Sequence, residues 1–107
     1  MTRILIKNGK IVDGTGSDAF SADVLLEGGK ILEVDSLKDV EADVVVDAKG
    51  KVVSPGFIDM HSHADLSLPI APFAESLAHQ GITTVVAGQC GISPSPAQII
   101  LSGMPWP

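Results

Sequence analysis

Residues 55–65 read Pro-Gly-Phe-Ile-Asp-Met-His-Ser-His-Ala-Asp, and this stretch limits the available folds more than any other. Phe57, Ile58 and Met60 predict a short buried strand over residues 57–61, with two imidazoles arriving two positions apart. In an extended strand residues i and i+2 share a face. His61 and His63 then offer two ring nitrogens to one side, as a metal ion requires. Asp65 continues the parity. It is expected either to support a metal or catalysis there, or only to cap the loop before Pro69.

A second strand is predicted over residues 82–87, a β-branched run apolar on both faces, as buried parallel strands are. Between the two, Pro69 and Pro72 predict the opening turn of a helix. Ile70, Phe73, Ala74 and Leu77 would form its apolar stripe, and Gly81 its C-terminal cap. Strand, helix and strand in this order make a βαβ unit. Its parallel strands end side by side, at the edge where α/β folds place their active sites. His61 and His63 follow the first strand end, and Cys90 follows the second across a glycine-flanked turn. Gly88 and Gly91 allow that turn to aim the thiol inward. Imidazole and thiolate together suit zinc, with three protein ligands and an open position.

Other readings of the same residues are plainer. A single cysteine is commonly a small buried hydrophobe, and for Cys90 only convergence with the two histidines argues otherwise. Asp59 reads as a structural hydrogen-bond acceptor, His79 as a half-exposed helix residue without function, and Thr83 and Thr84 as ordinary strand residues. Gly14-Thr15-Gly16-Ser17-Asp18-Ala19 matches a dinucleotide-binding fingerprint, but no helix pattern follows it, so it reads as a turn.

The Pro-Gly-Phe-Ile-Asp-x-His-x-His segment resembles the entry strand of the metal-dependent amidohydrolases. Gly88-Gln89-Cys90-Gly91-Ile92-Ser93 is similar to the Gly-Asn-Cys-Gly-Ile-Ser of the N-acyl-D-amino-acid deacylases, with Gln89 in place of Asn. The resemblance extends from about residue 4 to residue 93. It implies zinc-dependent hydrolysis of a C–N amide bond, with small N-acyl amino acids as substrates and His61, His63 and Cys90 as metal ligands. It also implies a TIM-like barrel whose further histidines and catalytic aspartate lie on later strands, beyond Pro107. Cyclic amide hydrolysis of the hydantoinase or dihydroorotase kind is the alternative within the superfamily. A non-catalytic metal-binding remnant is the alternative outside it.

Upstream, residues 1–54 alternate short apolar runs with glycine turns. Ile4-Leu5-Ile6 and Lys10-Ile11-Val12-Asp13 are expected to form a hairpin about Asn8-Gly9. Further strands are expected at residues 22–27, 31–34, 43–47 and 51–53, with a two-residue turn at Gly28-Gly29. The set predicts an antiparallel module that packs its inner face on something else. In the family it resembles, this module is a small β-sandwich completed by the chain's C-terminus. The expected architecture is therefore α/β plus β. Residues 1–54 supply part of the sandwich, and residues 55–107 the first βαβ unit of an incomplete (β/α) barrel. A barrel of this type takes ~250 residues, so 107 residues predict a fragment with exposed strand edges open to self-association.

A net charge of −6 with scattered Lys and Arg argues against nucleic-acid and anionic-membrane partners. One cysteine excludes an internal disulfide and fits a reducing compartment. With no signal-peptide pattern and no membrane-length apolar run, the expected location is the cytoplasm. From residue 93 the pattern fades, residues 93–96 reading as extended and 98–101 as one turn of helix or a strand.

Overall fold

The computed structural model describes residues 1–92, and the chain divides into two compact units, Met1–Pro55 and Gly56–Pro107. The readings made for residues 93–101 lie outside the described residues.

The first unit is a five-stranded sheet formed by β1 (Arg3–Ile11), β2 (Phe20–Glu27), β3 (Lys30–Asp35), β4 (Val44–Asp47) and β5 (Val52–Val53). The strand order is β3-β2-β1-β4, with β5 also pairing to β1. β2 is antiparallel to β1 and to β3, whereas β4 and β5 run parallel to β1. The sheet is thus mixed, not antiparallel as expected. The Gly28-Gly29 turn forms where predicted, both glycines having the positive φ that a tight hairpin needs.

The expected Asn8-Gly9 hairpin does not form, and β1 runs straight through it. Asn8 adopts φ 61° as a single left-handed residue inside a bulge between Ile6 and Gly9. Its N–H donates to Asp23 Oδ1 at 2.8 Å and its Nδ2 donates to Asp47 Oδ1 at 2.9 Å. Acceptors on both flanking strands satisfy the residue in place, so its turn preference is spent on a bulge. One face of the sheet is covered by the connection before β4, where Leu37 packs with Leu5 and Leu25, and Val40 and Ala42 lie against them.

In the second unit β6 (Phe57–Asp59) pairs in parallel with β7 (Ile82–Val85). Gly56 lets the pair close, because a Cβ there would run into the side chain of Thr83. The two strands were expected to be buried, but Phe57 and Ile58 are each more than half exposed. Among the described residues no further strand joins the pair, and two short strands alone bury little.

The single helix expected from Pro69 is replaced by two one-turn helices, α1 (Ala64–Ser67) and α2 (Glu75–Ala78). Pro69 and Pro72 lack the N–H groups that a helix through this segment would use. Ala74, at φ 46°, turns the chain left-handed before α2. Ile70 and Phe73 are left 74% and 83% exposed, so no apolar stripe is buried. Gly81 does close the segment as expected, with φ 77° and its N–H donating to Ala78 O at 2.9 Å.

Candidate metal centre

The strand leading to the histidines stops earlier than predicted. β6 ends at Asp59, whose Oδ1 accepts the His61 N–H at 3.1 Å and turns the chain out of the sheet. His61 and His63 therefore do not share a strand face, and strand alternation does not bring them together. Backbone hydrogen bonds beyond the strands do. Val86 N–H donates to Asp59 O at 2.8 Å, and Ser62 N–H donates to Val86 O at 3.2 Å. These bonds stitch the segment after β6 to the segment after β7. The Asp59 carboxylate is a structural acceptor, as expected.

Ser62 is a residue that sequence reasoning missed. It is buried, and its Oγ accepts the Ala64 N–H at 3.1 Å, satisfying a free donor where α1 starts. A serine two residues ahead of a helix start is the signal that could have found it. His63 occupies the cap position itself.

Cys90 lies in a 3₁₀ turn, Gln89–Gly91, after β7. Gly88 and Gly91 have φ of 79° and 70°, and Cys90 itself is left-handed at φ 57°. A non-glycine residue held there costs about 1–3 kcal/mol, and such residues cluster at functional sites. The conformation brings Cys90 Sγ to 3.1 Å from His61 Nε2. The His61 and His63 rings stand edge to face with centroids 5.9 Å apart. One ligand atom from each of His61, His63 and Cys90 lies within 4.8 Å of the others, and all three residues are exposed.

Two nitrogens and a sulfur gathered this closely could hold a metal ion, and zinc is one that takes such donors. Tetrahedral zinc with bonds of ~2.0 Å to nitrogen and ~2.3 Å to sulfur holds its donors about 3.5 Å apart. The observed spacing brackets that value, so the donors fit with small side-chain adjustments.

Asp65 stands in the first turn of α1 and is not among the three clustered donors. Its carboxylate makes no capping contact, since both oxygens are buried and neither has a hydrogen-bond partner among the described residues. His79 is exposed at the end of α2. Residues 56–107 contain no Lys or Arg at all, and their acids are Asp59, Asp65 and Glu75. No helix among the described residues is long and apolar enough to cross a membrane.

Known proteins resemble this chain over most of its length. The chain is 43% identical over 96 residues to N-acyl-D-glutamate deacylase of Alcaligenes xylosoxydans xylosoxydans, a match covering 90% of this chain and 20% of that protein. It is 42% identical over 88 residues to dihydroorotase of Thermoanaerobacter sp. (strain X514), covering 78% of this chain and 20% of that protein. Among solved structures it resembles N-acyl-D-glutamate deacylase from Bordetella bronchiseptica, complexed with zinc and a phosphonate inhibitor. That match has a TM-score of 0.85 at 42% identity, covering 89% of this chain and 20% of that one. The chain thus spans about a fifth of the length of the relatives it matches. The Amidohydrolase family model matches residues 44–107, and on that match and these identities the chain belongs to the amidohydrolase family.

Proposed function

We propose that the chain carries part of the metal centre of an enzyme that hydrolyses C–N amide bonds, with N-acyl-D-amino acids as substrates. The observation that carries this reading is the gathering of His61, His63 and Cys90 donor atoms within 4.8 Å. His61, His63 and Cys90 would hold zinc. Zinc in such a site brings the pKa of a bound water to about 7 and polarises an amide carbonyl.

The chain's own residues prepare the donors. Asp59 fixes the His61 backbone, the Ser62–Val86 hydrogen bond aligns the two loops, and the glycines around Cys90 present its thiol toward His61. The parallel β6–β7 pair supports assignment of residues 55–107 to the start of a (β/α) barrel. The mixed sheet supports assignment of residues 1–54 to part of a β-sandwich. The exposed strand edges are where the chain would self-associate, and the cytoplasm is its proposed location.

Similarity to dihydroorotase favours a second reading of the substrate, a cyclic amide hydrolysed at the same centre. The test of the metal reading is zinc stoichiometry on the purified 107-residue chain together with its size in solution. One zinc per chain, lost on His61→Ala, is expected; a chain that retains no zinc refutes the reading. The isolated chain, with two barrel strands where eight make a barrel, is expected to hydrolyse neither N-acetyl-D-amino acids nor dihydroorotate above the free-metal background. Turnover by purified monomer would overturn that expectation.

A further inference from the structure

Asp65 poses a physical problem that the three-donor site does not explain. Both carboxylate oxygens are buried without a hydrogen-bond partner among the described residues. Buried carboxylates are ordinarily paired or hydrogen-bonded, because an uncompensated charge out of water is costly. No Lys or Arg occurs anywhere in residues 56–107 to compensate it. The other two acids of that segment do not share the difficulty, as Asp59 accepts the His61 N–H and Glu75 is exposed. Asp65 is also two residues beyond His63, in the first turn of the helix that His63 caps.

We propose that Asp65 is a positioning residue for the metal centre, its carboxylate held for the charge of the bound cation. This rests on the reading of His61, His63 and Cys90 as zinc ligands. A divalent cation bound by two neutral imidazoles and one thiolate would keep one positive charge, which one carboxylate would cancel. Asp65 lies outside the cluster of donor atoms, so it acts from beyond the ligands. Its contribution is electrostatic, exerted on the charge of the bound cation. Without metal the carboxylate is a liability to the fold; with metal it is compensated.

The two states therefore predict opposite effects of one substitution. Asp65→Asn keeps the shape and removes the charge. In chelator it should raise the thermal midpoint of the 107-residue chain above that of the unsubstituted chain. In a zinc titration it should weaken affinity by roughly 10–100-fold, the usual loss on removing a partner of a metal ligand. Glu75→Gln removes an exposed charge from the same segment and should change neither quantity. Circular dichroism of each variant establishes that it is folded.

Unchanged zinc affinity in Asp65→Asn, or a lowered midpoint in chelator, overturns the role given to Asp65 while leaving the three-ligand site standing. Failure of the unsubstituted chain to bind zinc overturns the metal reading itself, and this inference with it.

Discussion

Cys90 joins two properties that substitution can separate, a thiol within reach of His61 and a backbone in the left-handed region. Cys90→Ala removes the thiol and keeps the strained φ of 57°, whereas Cys90→Gly removes both. The left-handed conformation costs an L-residue about 1–2 kcal/mol and glycine almost nothing. Without metal, Cys90→Gly should therefore be the more stable variant. Its advantage is about 1 kcal/mol after the extra freedom glycine gains in the unfolded chain. Zinc changes the order. At a free concentration ~100 times its Kd, a ligand specific for the native state adds ~2.7 kcal/mol of stability. For a unit of this size that corresponds to a rise of roughly 10–20 °C in the unfolding midpoint. Both variants lack the thiolate and should lose most of that rise. The assay is thermal unfolding followed by circular dichroism, in chelator and across a zinc series. If Cys90→Ala keeps the full zinc-dependent rise, Cys90 is not a ligand and the argument from its position fails. If Cys90→Gly is no more stable than Cys90→Ala in chelator, the left-handed turn is not strained.

Gly56→Ala forces a methyl group against Thr83 and should cost about 1–3 kcal/mol by separating β6 from β7. The double variant Gly56→Ala with Thr83→Ser should recover part of the loss in a denaturant titration; no recovery would place the cost elsewhere. Asn8→Ala removes the Nδ2 bond to Asp47 and leaves alanine at φ 61°, for an expected loss of about 1–2 kcal/mol. Asn8→Gly keeps the backbone and should lose less, which the same titration would register. The Asn8 amide, and after it the Lys49 backbone N–H, hold the Asp47 carboxyl below its ordinary value of 3.8. A carboxyl with a lowered folded pKa contributes stability above its unfolded pKa and loses it as pH falls through the folded value. The Asp47 contribution is thus complete at neutral pH and disappears only in acid below about pH 4. Carboxyl-carbon NMR titration should show Asp47 moving back toward its ordinary value in Asn8→Ala, and an unmoved Asp47 would remove Asn8 as the cause.

The sequence by itself determined the candidate donor set of this chain. The Pro-Gly-Phe-Ile-Asp-Met-His-Ser-His segment and Gly88-Gln89-Cys90-Gly91 named the three candidate donors, because residue type and glycine punctuation are local properties. The Gly28-Gly29 hairpin, the Gly81 cap and the β6 and β7 strands were legible for the same reason. Most of what failed in sequence depends on a distant partner. Asn8-Gly9 carries a hairpin signal, yet Asp23 and Asp47 satisfy Asn8 from neighbouring strands and β1 continues through a bulge. The parallel direction of β4 and β5 is set by which strand they join, not by their own composition. The stripe at Ile70, Phe73 and Leu77 has helical spacing, but spacing does not restore the hydrogen bonds lost at Pro69 and Pro72. Even the histidines were placed together for a reason the alternation rule did not supply. Asp59 ends the strand, and backbone bonds through Ser62 and Val86 then hold the two loops side by side. The orphaned carboxylate of Asp65 is visible only in three dimensions, since burial and the absence of a partner belong to the surroundings and not to the residue.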